Sequence, residues 1–232
     1  SDSAALRDLS TELAELRDHL LSSPSVNLLT VSDSQSLDQA AQALIGAVAP
    51  LANSDRTSTW TPGEKQASTN QIWVANTQVN FCAKAYPTVS SGHPDAPALT
   101  VLGAYLRNGF LHRAIREQGG AYGGGASHDA NVGAFRFFSY RDPRNIGTLA
   151  DFDASVEWLL SSKADSHALE EAILSVVSSL YKPASPAGEV KKAFYDTLYK
   201  RTLEQKRALR EAIINTRHED LCRVADTYLK PE

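Results

Sequence analysis

The sequence predicts an α+β fold in which a mainly antiparallel sheet packs against helices. Strand-like runs come in pairs joined by short turns, at residues 71–75 with 79–86 and at 121–127 with 133–140. Long amphipathic helices separate these pairs without the regular alternation of a parallel sheet. Beyond Glu189 every pattern is helical, so the chain is expected to end in a helical tail.

Composition describes an ordinary globular protein of 232 residues, 42% hydrophobic and 22% charged. A net charge of -4 and a pI near 5.9 give no electrostatic footprint for nucleic acid. No run approaches the roughly 20 apolar residues of a membrane span, so no membrane partner is expected. Cys82 and Cys222 are interpreted as free thiols. Methionine is absent even at position 1, which indicates a fragment of a longer chain.

The first third of the chain predicts two helices and a loop. Leucines spaced three and four apart between residues 3 and 21 predict an amphipathic helix that needs a partner, either a preceding segment or a second copy. Residues 26–31 suit a short strand, and the Ser36 to Gln39 capping box starts an alanine-rich helix. Residues 52–70 are rich in Ser, Thr, Asn, Pro and Gly and predict a surface loop.

The longest predicted element is one helix over residues 97–118. One stripe of apolar side chains is expected to pack, and a second stripe with Tyr105, Gly109, His112 and Arg116 is left free for other work. Capping boxes at Thr148 and Thr202 begin later helices. The predicted division is an N-terminal helix at 1–24, an α+β domain at 25–182 and a helical extension at 183–232.

The most informative segment is Arg116-Glu117-Gln118-Gly119-Gly120-Ala121-Tyr122-Gly123-Gly124-Gly125. An arginine closes the long helix, a Gly-Gly break follows, and a tyrosine opens a glycine-rich strand, so both side chains can face one cavity. An ordinary explanation is also open, with Arg116 complementing the helix dipole, Gly119 or Gly120 as the left-handed cap and Tyr122 as a sheet aromatic. Three successive glycines instead favour an extended ligand lying against the strand.

Several kinds of chemistry are excluded by motif. None of the six histidines stands at HExxH or HxxEH spacing, so no metal site is expected in this chain. His128-Asp129 is interpreted as a solvated loop pair. There is no GxSxG elbow, and the glycines follow a helix instead of preceding one, which excludes a phosphate cradle.

Two motifs together carry a resemblance to a known family. Leu111-His112-Arg113-Ala114-Ile115-Arg116-Glu117-Gln118-Gly119-Gly120-Ala121-Tyr122-Gly123-Gly124, followed by Phe135-Arg136-Phe137-Phe138-Ser139-Tyr140-Arg141-Asp142-Pro143, resembles the C-terminal half of pitrilysin-type zinc metallopeptidases. The likeness is strongest to the presequence-protease subfamily. In that family two homologous halves enclose a chamber, and the N-terminal half carries the HxxEH zinc motif.

The resemblance implies a non-catalytic, chamber-forming half of an enzyme that degrades unstructured peptides. Arg116 and Tyr122 match the residues that reach the substrate near the scissile bond, so they are expected to support the transition state and, with Gly123 and Gly124, to bind peptide. The partners implied are the N-terminal half of the same polypeptide, which would hold the zinc, and peptide substrates. The isolated chain would be inactive, in a bacterial cytoplasm or an organelle matrix. The alternative is a purely structural pitrilysin-like module.

Overall fold

The structure, a computed structural model, describes residues 3–21, 27–49 and 70–230. Contacts divide the chain into two compact units. The first takes in the chain up to Trp73 together with Ala184–Leu198, and the second takes in Val74–Pro183 and the chain from Tyr199. This grouping separates residues 184–198 from the helices that follow them, whereas the predicted division placed all of 183–232 together. The predicted domain boundaries therefore stay a prediction.

Helices dominate both units. The α-helices are α1 (Ser3–Leu21), α2 (Leu37–Val48), α3 (Ala96–Leu106), α4 (Ile146–Ser161), α5 (Ser166–Leu180), α6 (Pro186–Leu198), α7 (Leu203–Ile214) and α8 (His218–Tyr228). A π-helical segment, Arg107–Gln118, continues directly from α3. The strands are β1 (Asn80–Pro87), β2 (Gly123–Asp129) and β3 (Ala134–Asp142). Helices α1, α2 and α6 belong to the first unit and the rest to the second.

The three described strands form an antiparallel sheet in the order β1-β3-β2. Alternate residues of β3 point into the core, and the side chains of Phe135 and Phe137 are fully buried there. Phe137 stacks on Phe152 of α4 with ring centroids 5.4 Å apart. A sheet with one covered face and helices packed against it is the α+β fold that the sequence predicted.

Helix α3 lies at the centre of the second unit. It packs against β2, α5, α7 and α8, and its side chains Leu99, Leu102 and Leu106 are completely buried as predicted. Tyr105, which was predicted to lie on a free stripe, is only 2% exposed and stacks on Trp158 of α4 at 5.6 Å. The prediction of a free stripe was wrong for Tyr105, because other elements cover α3 on more than one side. A single apolar stripe therefore accounts for only part of the side chains that α3 buries.

Two predicted strands are not strands in the structure. Residues 71–75 are irregular, and Ile72, Trp73 and Val74 are 84–95% exposed. Residues 27–31 are also irregular, while residue 26 and most of the predicted loop at 52–70 lie outside the described residues. The strand prediction failed because β-branched and aromatic content favours a strand only where a neighbouring strand can pair with it. In the sheet described here, β1 pairs with β3 instead.

Candidate functional site

The turn between the π-helical segment and β2 is a glycine-capped helix end. Gly120 adopts a left-handed conformation with φ of 77°, which a glycine adopts without strain. Its N–H donates to the carbonyl of Arg116 at 3.1 Å, and the N–H of Ala121 donates to the carbonyl of Ile115 at 3.1 Å. The Gly120 bond is that of the αL capping motif, and the Ala121 bond reaches one residue further back into the helix. The predicted left-handed cap is confirmed at Gly120, and Gly119 keeps a right-handed conformation.

The cap places Arg116 and Tyr122 on either side of one tight turn. Arg116 lies in the last turn of the π-helical segment with its side chain exposed. Tyr122 directly precedes β2 and is 64% exposed. Neither the Arg116 guanidinium nor the Tyr122 hydroxyl makes a hydrogen bond or ion pair with any residue that the structure describes. Both groups can therefore donate to a ligand without first breaking an internal contact.

The π-helical segment decides which side chains surround this turn. A π-helix has more residues per turn than an α-helix, so the buried stripe of α3 is re-aimed after Leu106. Leu111 and Ile115 turn into the core, while His112, Arg113 and Arg116 remain exposed. Gly109 allows the close approach of Trp158, because a Cβ there would lie 2.6 Å from the indole ring. The predicted helix thus has the right extent but changes its geometry near its middle.

Opposite this turn, β3 contains a β-bulge. Between the pairs Asn80 with Asp142 and Cys82 with Ser139, β3 has one more residue than β1. As a result Tyr140 and Arg141, consecutive in sequence, are both exposed, whereas Ser139 and Asp142 on either side are buried. Arg141 has a positive φ of 49°, an uncommon conformation for a residue with a side chain.

Both residues of the bulge contact Tyr122. The Tyr140 and Tyr122 ring centroids are 5.7 Å apart, and the Arg141 guanidinium carbon lies 5.6 Å from the Tyr122 centroid. The Tyr122 N–H also donates to the Arg141 carbonyl at 3.2 Å. In the sequence, Tyr140 and Arg141 stand only in a motif and a predicted turn. A bulge depends on register between strands, so no local signal could have shown these contacts.

The three glycines of β2 make room for other parts of the chain. A Cβ on Gly123 would lie 2.6 Å from the ring carbon Cζ of Tyr140. A Cβ on Gly124 would lie 2.8 Å from the carbonyl oxygen of Phe138, and one on Gly125 would lie 3.1 Å from the Arg107 side chain. Gly123 and Gly125 are buried and Gly124 is half-buried. Internal packing is thus one explanation for the glycine run, and the extended ligand that the run also favours stays a prediction.

The exposed surface around the turn is cationic although the whole chain carries a net charge of -4. Ion pairs with carboxylates hold Arg144 to Asp151 at 2.8 Å and Arg136 to Asp129 at 3.1 Å. Three further arginines near the turn have no ion pair with any described carboxylate, namely Arg107, Arg116 and Arg141. Unpaired guanidinium groups are suited to carboxylates and peptide carbonyls.

His128 is structural. Its side chain is half-buried in β2, where Nε2 donates to the Val89 carbonyl at 3.0 Å, so the ring is held as the neutral Nε2–H tautomer. Burial lowers the pKa of His128 below its ordinary value, and the Val89 carbonyl opposes that shift. The interpretation of His128-Asp129 as a solvated loop pair was wrong for the histidine. Its burial depends on Val89, which is distant in sequence.

Metal binding finds no support in the described part of the chain. Among those residues no group of three or more His, Cys, Asp or Glu side chains lies close enough together to hold a metal ion. The described residues therefore do not form a site for the zinc of a metallopeptidase. In addition, none of the described helices is both long enough and apolar enough to cross a membrane.

Solved structures define the class of fold. A protease from Helicobacter pylori superposes with a TM-score of 0.61 over 86% of this chain and 51% of its own, at 17% identity. Pitrilysin superposes with a TM-score of 0.54 over 96% of this chain and 25% of its own, at 14% identity. At such identities the likeness concerns the fold alone, and the fold is that of a pitrilysin-type peptidase domain.

Sequence relatives narrow the class to one family. Residues 70–231 match the family described as the PreP C-terminal domain. The mitochondrial presequence protease of Kluyveromyces lactis is 33% identical over 97% of this chain and 23% of its own length. The chain belongs to the PreP C-terminal domain family, as the two motifs predicted, and it spans less than a quarter of that relative.

Proposed function

We propose that this chain is the substrate-binding, chamber-forming C-terminal domain of a zinc-dependent metalloendopeptidase that degrades unstructured peptides. One observation carries the proposal: Arg116 and Tyr122 present two exposed donors beside one turn, and neither has a hydrogen-bonding partner among the described residues. Such donors can bind a peptide carbonyl, and they bind it more strongly as charge develops on its oxygen. The same two residues are those that the family resemblance selects.

The glycines enter this proposal in different ways. Gly124 is half-buried at the outer strand of the described sheet, so its peptide groups are placed to contact an extended peptide. Gly123 is buried, and its part is to admit the Tyr140 ring beside Tyr122. In this proposal Arg116, Tyr122, Gly123 and Gly124 form one peptide-binding surface. The exposed side chains of Arg116 and Tyr122 lie at its end.

The remaining parts of the enzyme are assigned outside this chain. The described residues do not fit a metal, so we place the zinc and the hydrolytic chemistry in an N-terminal half of the same polypeptide. The isolated chain should then bind peptide without cleaving it. We propose an organelle matrix or a bacterial cytoplasm as the compartment, and the mitochondrial presequence proteases among the relatives favour the organelle.

The first experiment measures binding by the chain alone. A fluorescein-labelled unstructured peptide of moderate length is titrated with wild type, Arg116→Ala and Tyr122→Phe, and the anisotropy is recorded. We expect Arg116→Ala to weaken binding about tenfold, the value of a hydrogen bond from a charged group, and Tyr122→Phe about fivefold, the value of an uncharged one. Arg113→Ala is the matched control, because Arg113 is an exposed and unpaired arginine of the same π-helical segment.

The second experiment separates this function from the structural alternative. The N-terminal portion of the Kluyveromyces lactis presequence protease is produced separately and mixed with wild-type or variant chain. Restored peptide hydrolysis that falls about 100-fold with Arg116→Ala would support substrate contact in the transition state. Hydrolysis restored equally by wild type, Arg116→Ala and Tyr122→Phe would leave the chain a purely structural module.

A further inference from the structure

The β-bulge in β3 is more than a local irregularity of the sheet. A regular strand would place Tyr140 and Arg141 on opposite faces, because successive side chains alternate. The extra residue places both on the exposed side, while Asp142 turns inward and is completely buried. Asp142 accepts hydrogen bonds from the Thr148 hydroxyl at 2.7 Å and from the Arg144 N–H at 2.8 Å, which hold the strand in this register.

We propose that this bulge positions Tyr122 for ligand binding, with Tyr140 and Arg141 as its positioning residues. Three contacts converge on Tyr122: the Tyr140 ring, the Arg141 guanidinium and the Arg141 carbonyl. A tyrosine that is 64% exposed would otherwise sample several rotamers, and binding would then have to order it. Because the bulge already restrains the Tyr122 side chain, a ligand does not have to order it on binding.

Arg141 combines two means of holding Tyr122. Its positive φ of 49° directs its carbonyl to the Tyr122 N–H, and its guanidinium lies against the Tyr122 ring. Positive φ values in residues other than glycine cluster at functional sites, since other interactions must offset their cost. Here the buried Asp142 on the C-terminal side and the stacked tyrosines provide those interactions.

Gly123 on the neighbouring strand β2 also contributes to the position of Tyr122. It pairs directly with Tyr140, and any side chain at position 123 would collide with the Tyr140 ring. Glycine is thus needed at position 123 to leave space for the Tyr140 ring. The backbone conformation of Gly123 does not itself require glycine, because its φ lies outside the left-handed region. This predicts that substitutions at the two positions are coupled.

The position of the Tyr122 ring can be measured without reference to any function. Tyrosine ring carbons are labelled with ¹³C, and the Tyr122 signals are assigned from their loss in Tyr122→Phe. We expect Tyr140→Ala, Gly123→Ala and Arg141→Asn each to move these signals toward those of a free tyrosine, whereas Tyr140→Phe and Arg141→Lys keep them near wild type. Asparagine tolerates positive φ, so Arg141→Asn removes the cation without adding backbone strain.

Coupling between strands gives a second test. Gly123→Ala should displace Tyr122 in wild type but have little further effect in Tyr140→Ala, since the obstructing ring is then gone. Arg136→Asn is the matched control, because Arg136 lies on the same exposed face of β3 and pairs with Asp129 away from the turn. Unchanged Tyr122 signals in Tyr140→Ala and Arg141→Asn, with the fold intact by circular dichroism, would overturn the inference.

The consequence for binding rests on the proposed function. In the peptide titration described above, Tyr140→Ala and Arg141→Asn should weaken binding about threefold to tenfold, the effect of freeing one side chain and losing one cation–π contact. Arg141→Lys should keep most of the wild-type affinity for the peptide. Displaced Tyr122 signals with unchanged peptide affinity would reject the proposed function and leave the positioning role standing. Unchanged signals with weakened affinity would reject the positioning role instead.

Discussion

Gly119 shows how one missing side chain supports the turn beside Arg116. A Cβ at this position would lie 2.5 Å from the guanidinium carbon of Arg144 and 2.5 Å from the carbonyl oxygen of Ile115. That guanidinium bonds Asp151 at 2.8 Å and the Ala114 carbonyl at 3.3 Å, so it joins α4 to the end of the π-helical segment. The glycine is therefore required for space, since its φ of -82° suits any residue.

Gly119→Ala should lower the free energy of unfolding by about 1–3 kcal/mol, because the displaced Arg144 leaves two partly buried partners unsatisfied. Gly147→Ala is the matched control. A Cβ on Gly147 would meet the same guanidinium at an ordinary 3.6 Å, and alanine is favoured over glycine in a helix. Urea denaturation of the two variants measures the difference, and equal stabilities would contradict this account.

Helix caps illustrate what the sequence can and cannot predict at single residues. The capping box from Thr202 to Gln205 was predicted and is present, with both hydrogen bonds at 2.9 and 3.1 Å. The box predicted at Ser36 is absent, because the Asp33 carboxylate accepts from the Ser36 and Gln35 N–H groups instead. Thr148 was also predicted to cap α4, but its hydroxyl donates to Asp142. A local motif is reliable only where no stronger partner is near.

At the scale of elements, the order of helices and strands was largely predictable and the register was not. Periodic leucines predicted α1 and α3, because the helical repeat brings residues three and four apart onto one face. The change from α-helix to π-helix after Leu106 leaves no such pattern. The bulge at Arg141 likewise depends on pairing with β1 and β2. Arg116 and Tyr122 were therefore predictable from a motif, whereas their neighbours Tyr140 and Arg141 required the structure.

An ion pair connects the start of α3 to α8. Asp95 pairs with Arg223 at 2.7 Å and accepts from the Tyr228 hydroxyl at 2.8 Å. The bond from Arg223, followed by that from Tyr228, holds the pKa of Asp95 below its usual value, while burial opposes the shift. A carboxyl whose folded pKa is depressed stabilises the fold above its unfolded pKa of about 3.9, and this contribution is lost as the pH falls through the lower folded value.

Asp95→Asn should accordingly lower Tm at pH 7 by about 2–4 °C, the shift expected for roughly 1 kcal/mol in a chain of this size. The difference between wild type and variant should shrink below about pH 4, where the wild-type carboxyl becomes protonated. Asp226→Asn is the control, since the only ion pair of Asp226 on α8 with a described residue is the exposed one with Lys230. Thermal melts from pH 2 to 7 measure both variants. A difference that stays constant over this range would rule out the ionised Asp95 as its source.

At the scale of the whole molecule, the end of the chain packs as part of the core of the second unit. The sequence predicted residues 183–232 as a helical extension. In the structure α7 and α8 pack against α3, and Ile213, Leu221, Val224, Ala225 and Leu229 are at most 1% exposed. Helix α1 is the opposite case, since its five leucines at 6, 9, 13, 16 and 20 are 50–64% exposed.

Two deletions decide between these descriptions. Ending the chain after residue 198 should abolish cooperative unfolding, because the four large buried aliphatic side chains that are lost contribute about 6–12 kcal/mol, which is comparable to a typical domain stability of about 5–15 kcal/mol. Removing residues 1–21 should leave the Tm of the second unit unchanged, because the leucines of α1 bury little surface among the described residues. Calorimetry and amide hydrogen exchange measure both truncated chains against the full one. A chain ending at residue 198 that still unfolds cooperatively would restore the predicted extension, whereas its collapse would make α7 and α8 part of the domain that holds Arg116 and Tyr122 in place.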